Sequence, residues 1–580
     1  MSRKPIRCLV IQLRSGADLL ESLIALKATK QLYPALEISL LCRPEHEELA
    51  KQAQWIHSVI TLPVSEWLNP GNKSDVESIR KFVPNVAGWL TQLTASPWDL
   101  LVNWSFCDSS SFLSALIPAK NRLGYTRRAD LDFSSGDGWS QFVHAFVHLD
   151  IPQNIHLVDL LTTQLLTALQ LSHGDPADAG NQAVTGRGFF TALRTSGDPL
   201  LEPGKTWVAA QINPLWSAKQ WARFLLLTLE RHPETHVVLL GLRQEQELAR
   251  EITRILNHSG THEKRILNLT GETDLDLWID SLSQCTWLVT FQALPAQLAS
   301  ALGTRVLQIG QSHAPNYSTA AYGNGHVLIS PTDVSVPLVP EAVYSSWSYA
   351  HFEWSHRRNW SFQEHLERLG YQRLSDWLDV RVSKIRPADE GGGLIYTSEF
   401  KRPLSNRDWL AIINGQIARL WYCGWTAKEG AEITRDGIGP ALLQDLRALD
   451  ESSSVLLRVC KEAIRCSTEL QQRAAQLKSS KVMSVEDRKE LHDMGVKILE
   501  LQKLVDRLAS ADAHLAGFST LLKVLMHNLG GEHIAEVSKE SLAAWQQIER
   551  GIELMRVWMK HTLRLSRPIA VEAAVFQPLP

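Results

Sequence analysis

A chain of 580 residues is too long for one hydrophobic core, so about three or four domains of ordinary size are expected. Hydrophobic residues make up 44% and charged residues 21%, globular values that exclude disorder as the dominant state. A net charge of −3 leaves no basic excess, which excludes a general nucleic-acid-binding face.

The cysteines at 8, 42, 107, 285, 423, 460 and 466 form no CxxC pair, and their odd number and irregular spacing indicate neither a disulfide framework nor a zinc site. Reduced thiols in a cytoplasmic protein are the simpler reading. The apolar run Cys8–Ile11 is shorter than a signal-peptide core and lacks a small-residue cleavage site after it. No segment approaches 18 uncharged apolar residues, so any membrane contact is expected to be peripheral, at the inner membrane.

Taken in chain order, Ile6–Leu13 reads as a buried strand, Leu19–Lys30 as a helix, Ala35–Leu41 as a strand and Glu45–Gln54 as a helix. Ser58–Thr61 and Leu100–Asn103 follow as strands, with a short helix at Ser109–Leu116. Strands separated by helix-length segments imply βαβ units and a parallel sheet. Asp175–Thr185 and Thr195–Gly204 lack periodicity and carry Pro and Gly, and so read as a linker. The pattern then restarts. Strands are expected at Trp207–Ile212, His236–Gly241, Arg265–Leu269, Trp287–Phe291 and Arg305–Ile309. Helices are expected between them at Lys219–Arg231, Gln244–Leu256, Asp274–Ser283 and Pro295–Leu302.

From about Ser405 the strand signal fades. Leu456, Val459, Ala463, Leu470, Ala474 and Leu477 line one face of a helix. Ser484 with Asp487 resembles a capping box before a second helix, which carries Leu491, Met494, Ile498, Leu501, Val505 and Leu508. Gly530–Gly531 breaks the chain, and Trp545, Ile548, Ile552, Met555 and Met559 repeat the three–four spacing. Such seams pack helix against helix, within the chain or against a partner or second copy. The fold class is therefore α/β, two doubly wound Rossmann-like domains followed by an all-α bundle, with bounds at 1–185, 205–385 and 404–580.

Two open α/β domains make a cleft, and ligands bind such sheets at the carboxyl ends of strands. Arg14-Ser15-Gly16-Ala17-Asp18 lies directly after the first strand. Asp18 there would either accept a proton from an attacking hydroxyl or simply favour the helix dipole. Asn213-Pro214-Leu215-Trp216-Ser217-Ala218-Lys219 follows the first strand of the second domain. Lys219 would either hold a diphosphate or be an ordinary surface lysine. His351 and His356, with Arg357 and Arg358, lie in an aromatic stretch whose His–His spacing differs from the helical HxxxH pattern, so no metal site is expected there and the stretch reads as a capping surface or interlobe contact.

From Ile6 to Ile329 these residues resemble the ADP-heptose:lipopolysaccharide heptosyltransferases, glycosyltransferase family nine. The likeness is carried by the RSGAD loop, by WDLLVNW at Trp98–Trp104 with AKNRLGY at Ala119–Tyr125, and by NPLWSAKQW at Asn213–Trp221. VVLLG at Val237–Gly241, LTGETDL at Leu269–Leu275, ALGTRVLQIG at Ala301–Gly310 and AYGNGH at Ala321–His326 follow in the same order. The resemblance implies a GT-B fold and metal-independent, inverting transfer from a nucleotide-diphosphate sugar, with no other cofactor, to a glycan or protein acceptor. By it, Asp18 is the base, Arg14 and Ser15 stand on the acceptor side, and Asn213, Trp216, Lys219, Gly241, Thr270, Gln292 and Gln297 on the donor side.

The segment Thr290–Ala299 departs from the family's donor loop, with Gln292, Leu294 and Gln297 where an Asp, a Gly and a His are usual. Gln12, Gln211 and Asn213 also replace an Arg, a His and a Gly of the family pattern. A changed donor sugar fits these substitutions. So does an inactive scaffold working through its helical domain. A two-lobed binding protein for an unrelated nucleotide is a third reading.

Overall fold

The computed structural model describes residues 5–62, 87–128, 133–147, 151, 154–173, 200–258, 263–272, 274–310, 319–331, 338–356, 361–370, 380–387, 394–398, 406–418, 439–478, 484–529 and 533–565. Most of the expected linker, Arg357–Arg358 and Gly530–Gly531 lie outside the described residues. The chain divides into two compact units: residues 1–143 with 154–400, and residues 144–153 with 401–580.

The first unit holds two doubly wound lobes, the GT-B-like α/β architecture expected from the sequence. In the first lobe, β1 (Ile6–Gln12), β2 (Leu36–Cys42), β3 (Ser58–Thr61), β4 (Trp98–Asn103), β5 (Ala119–Arg127) and β6 (Phe133–Ser135) form one sheet in the order β3-β2-β1-β4-β5-β6. Its pairs are parallel except β5 with β6. The β1 side chains Leu9 and Ile11 are fully buried in the core beneath it, against Leu101 and Leu113. Gly124 in β5 has φ +85°, and a Cβ there would lie 2.0 Å from the Asn103 carbonyl, so only glycine fits. Strand order reverses between β1 and β4, the kind of switch point at whose carboxyl ends open α/β sheets bind ligands, and their carboxyl ends form this lobe's crevice.

Helix α1 (Gly16–Leu32) follows β1 and α2 (Asp108–Leu116) follows β4. α1 is buried on most of its circumference, because it also meets α3 (Leu157–His173) and a helix of the second lobe. That explains a sequence with little amphipathic contrast.

The second lobe orders its strands β14-β13-β12-β11-β10-β7-β8-β9. Those strands are β7 (Thr206–Gln211), β8 (Thr235–Leu240), β9 (Ile266–Asn268), β10 (Trp287–Thr290), β11 (Arg305–Ile309), β12 (Val327–Pro331), β13 (Val380–Pro387) and β14 (Leu394–Ser398). β9 to β12 run parallel, and β13 and β14 add antiparallel at the edge. The reversal falls between β7 and β10. Helices α4 (Ala218–Arg231), α5 (Gln246–His258), α6 (Leu275–Gln284), α7 (Ala293–Ala301) and α8 (Pro340–His356) flank the sheet.

The second unit is all-α among its described residues beyond 405: α9 (Asn406–Ala418), α10 (Pro440–Lys478), α11 (Val485–Ala511), α12 (Ala516–His527) and α13 (Ile534–Leu565). The seam Trp545, Ile548, Ile552, Met555 and Met559 is fully buried within this unit. Ser484 and Asp487 do form a capping box at the start of α11, with Ser484 Oγ donating to the Asp487 carboxylate at 2.7 Å. Among the described residues no helix is long and apolar enough to cross a membrane.

Candidate active site

The loop after β1 is held by hydrogen bonds. Gln12 is buried, its Nε2 donating to Ser22 Oγ at 2.8 Å and its Oε1 accepting from the Arg14 N–H at 3.2 Å. Ser105, in the loop after β4, accepts from the Leu13 N–H at 2.7 Å and donates to the Ile11 carbonyl at 3.1 Å. These bonds tie the carboxyl ends of β1 and β4 together at the crevice. Ser15 is the N-cap of α1, and Asp18 is its third residue. Ser15 Oγ donates to Asp18 Oδ2 at 2.5 Å and accepts from the Asp18 N–H at 3.3 Å, while Arg14 Nε lies 3.4 Å from Asp18 Oδ1. The Asp18 carboxylate is thus oriented by its neighbours at the crevice, and the helix-start role read from the sequence is met by this capping box.

Phe106, also in the loop after β4, has φ +48°, the left-handed region that non-glycine residues seldom adopt. Its ring meets Tyr125 edge-on at 4.5 Å. Nothing in the sequence flags this position, because backbone strain has no residue-type signature for phenylalanine.

In the second lobe the loop after β7 is held by aromatic packing. Trp216 is buried, its ring 5.1 Å from Trp221 and 5.3 Å from Phe291, both edge-on. Trp216 is thereby committed to the packing that supports the loop. Trp221 Nε1 donates to the Asn213 carbonyl at 3.1 Å, and Asn213 Oδ1 accepts from the Leu215 N–H at 3.0 Å. Asn213 Nδ2 is buried with no hydrogen-bond partner. Ser217 and Gln220 close a capping box at the start of α4. Lys219 is exposed in the first turn and makes no hydrogen bond or ion pair with a described residue.

Gly241 and Thr270 flank the same sheet edge, after β8 and β9. A Cβ on Gly241 would lie 2.9 Å from Thr270 Cγ2, so glycine permits this close packing. Thr270 Oγ1, like Asn213 Nδ2, is buried and unpartnered. Two such atoms at one sheet edge suit a ligand bearing both donors and acceptors.

The loop after β10 joins these parts. Thr290 Oγ1 donates to Gln211 Oε1 at 2.7 Å and accepts from the Gln292 N–H at 3.0 Å, which links the ends of β7 and β10. Gln292 is the N-cap position of α7 without a side-chain capping bond. Leu294 then crosses to the first lobe, its Cδ1 only 3.1 Å from where a Gly16 Cβ would stand.

Gln297 is fully buried, and its Nε2 donates to Glu21 Oε1 at 2.8 Å and to the Ala320 and Thr319 carbonyls at 2.8 and 3.1 Å. Glu21, on α1, is buried, and desolvation raises its pKa well above 4.5, with the Asp18 charge adding to the shift. No local pattern in the sequence marks Glu21, since its partner lies in the other lobe. Tyr322 Oη also donates to Asp159 Oδ1 at 2.6 Å, and His156 bonds the Ala320 carbonyl. Burial brings the His156 pKa down to about 4.

The structure therefore brings Arg14, Ser15 and Asp18 beside the Gln292–Gln297 segment, and ties that segment to the Asn213–Lys219 loop. His351 lies in the core of the second lobe against α4, not on a capping surface or between lobes.

No protein-family model matches the chain, and no curated protein matches it. Among solved structures it is similar to the E. coli ADP-heptose LPS heptosyltransferase II, at 16% identity and a TM-score of 0.41, over 60% of this chain and 100% of that one. It is similar to the E. coli heptosyltransferase WaaC with ADP, at 16% identity and a TM-score of 0.42, over 60% and 100%. A glycosyl transferase family 9 structure from Veillonella parvula matches at 13% identity and a TM-score of 0.43, over 61% and 99%.

Proposed function

We propose that the protein is a cytoplasmic glycosyltransferase that moves a sugar from a nucleotide-diphosphate donor to a hydroxyl of a cell-envelope glycan or protein. Transfer is inverting and uses no metal. The acceptor oxygen bonds to the anomeric carbon as the bond from that carbon to the diphosphate breaks. The hydroxyl proton passes to the Asp18 carboxylate, and the electron pair leaves with the nucleoside diphosphate. Lys219 and the N-terminus of α4 stabilise that developing charge. Asn213 Nδ2 and Thr270 Oγ1 are suited to hydrogen-bond the donor. The helical unit recognises the acceptor.

The observation that carries this reading is the approach of the α1 start to the α7 start at Gly16 and Leu294, with Thr290 and Gln211 linking α7 to the Lys219 loop. It supports a base and a cation serving one cleft. The test is a nucleotide-sugar binding screen on the full chain, followed by transfer assays. Asp18→Asn should lower turnover on the order of 10²–10⁴-fold and leave donor affinity unchanged. Full turnover in that variant would remove Asp18 from the mechanism.

One observation favours a second reading, an inactive scaffold or binding protein. Gln297, at the position of the family's histidine, spends its amide on Glu21 and two carbonyls. Failure to bind any nucleotide sugar would select this reading.

A further inference from the structure

At the opposite edge of the second sheet from the crevice, the turn His232-Pro233-Glu234 joins α4 to β8. Arg265 fastens it. Its Nη1 donates to the carbonyls of His232, Pro233 and Thr235 at 3.3, 3.1 and 3.3 Å, and its Nη2 to the Leu229 carbonyl at 2.9 Å. α8 lies alongside. Its Trp347 stacks on His351 at 5.0 Å and meets the His232 ring edge-on at 4.9 Å. His232 Nδ1 stands 3.8 Å from Glu234 Oε1, and one ligand atom each from His232, Glu234 and His351 lie within 4.8 Å of one another.

We propose that His232, Glu234 and His351 bind a divalent transition-metal ion of the zinc class, which clasps the end of α4 to α8. Two imidazoles and a carboxylate are a zinc donor set, with water completing a tetrahedron. The separations exceed the roughly 3.3 Å between ligands at 2.0–2.1 Å from a tetrahedral ion. Glu234 is 57% exposed and its side chain is free to rotate inward. The other nitrogen of His232 already has its support: Nε2 lies 3.2 Å from Tyr344 Oη and 3.3 Å from Ser348 Oγ, which leaves Nδ1 toward Glu234. Such outer partners fix the tautomer and ring plane of a metal-bound histidine.

The ligands come from a turn and a helix far apart in sequence, so no spacing motif marks them. None belongs to the crevice, and the site stands apart from the transfer proposed above.

The test uses full-length protein stripped with a chelator and titrated with Zn²⁺ by calorimetry and with Co²⁺ by visible absorption. A single saturable equivalent is expected for the wild type, with d–d bands of a low-coordinate nitrogen/oxygen site. His351→Ala and Glu234→Ala should abolish saturable binding. Tyr344→Phe, which removes only the supporting hydroxyl, should weaken it roughly tenfold. Glu234 is exposed, so its variant is expected to keep the wild-type circular dichroism spectrum and isolates ligation from folding. No saturable uptake by the wild type, or uptake unchanged in Glu234→Ala, overturns the proposal.

Discussion

The loops after the first strand of each lobe occupy equivalent places, yet different forces hold them. The Arg14–Asp18 loop is pinned by Gln12, Ser15, Ser22 and Ser105, a set of directional polar bonds. The Asn213–Lys219 loop rests on Trp216, Trp221 and Phe291, a dry aromatic stack. A polar clamp fixes the direction of the Asp18 carboxylate to within a hydrogen bond. An aromatic platform fixes a position and leaves two polar ends unpaired among the described residues, Asn213 Nδ2 and Lys219.

The comparison breaks most visibly at Trp221, which is fully buried and donates to the Asn213 carbonyl. Trp221→Ala removes the platform and should destabilise the second lobe by about 3–5 kcal/mol. The check is a lower denaturant midpoint for that lobe. In the first lobe, Ser105→Ala leaves the Leu13 N–H without its bond and should cost about 1–3 kcal/mol. A loss at Ser105 as large as that at Trp221 would erase the distinction between the two clamps.

Glu21 sharpens the comparison through pH. Its folded pKa is raised by desolvation, so the folded state holds a proton that the unfolded state releases above 4.5. Stability then falls as pH rises from that value toward the folded pKa, by at most about 1.4 kcal/mol per pH unit for one group. Glu21→Gln should remove this slope and gain stability over the wild type at neutral pH. Denaturation midpoints measured from pH 4.5 upward check both statements.

The sequence revealed those elements that stand out as short runs rich in β-branched residues or as helical apolar spacing. β3 and β11 fall where the apolar runs place them, and α4 differs from its expected span by one residue. β5 carries no strand signal in the sequence, because Lys120, Asn121 and Arg122 interrupt its apolar pattern on an exposed stretch. α8 is hidden for the opposite reason. Residues 342–351 are buried without interruption, so no polar stripe marks the helix. Of the site, the loops were legible because their residue types and order resemble a family. The Gln297–Glu21 bond was not, since it depends on how two lobes meet.

Leu294 gives the smallest expected change in stability and the closest test of how the two loops meet. It is 44% exposed, so Leu294→Ala should shift stability by no more than about 0.5 kcal/mol. Its Cδ1 nevertheless covers the glycine that opens α1, at the place where the polar loop faces the Gln292–Gln297 segment. Truncation clears that space without touching Asp18, Lys219 or either clamp. If the leucine narrows the path of a diphosphate, the variant binds nucleotide sugars several-fold more tightly at an unchanged denaturation midpoint. Equal affinity would mean that Leu294 is only a spacer between lobes. The aromatic platform and the polar clamp would then set the ligand geometry by themselves.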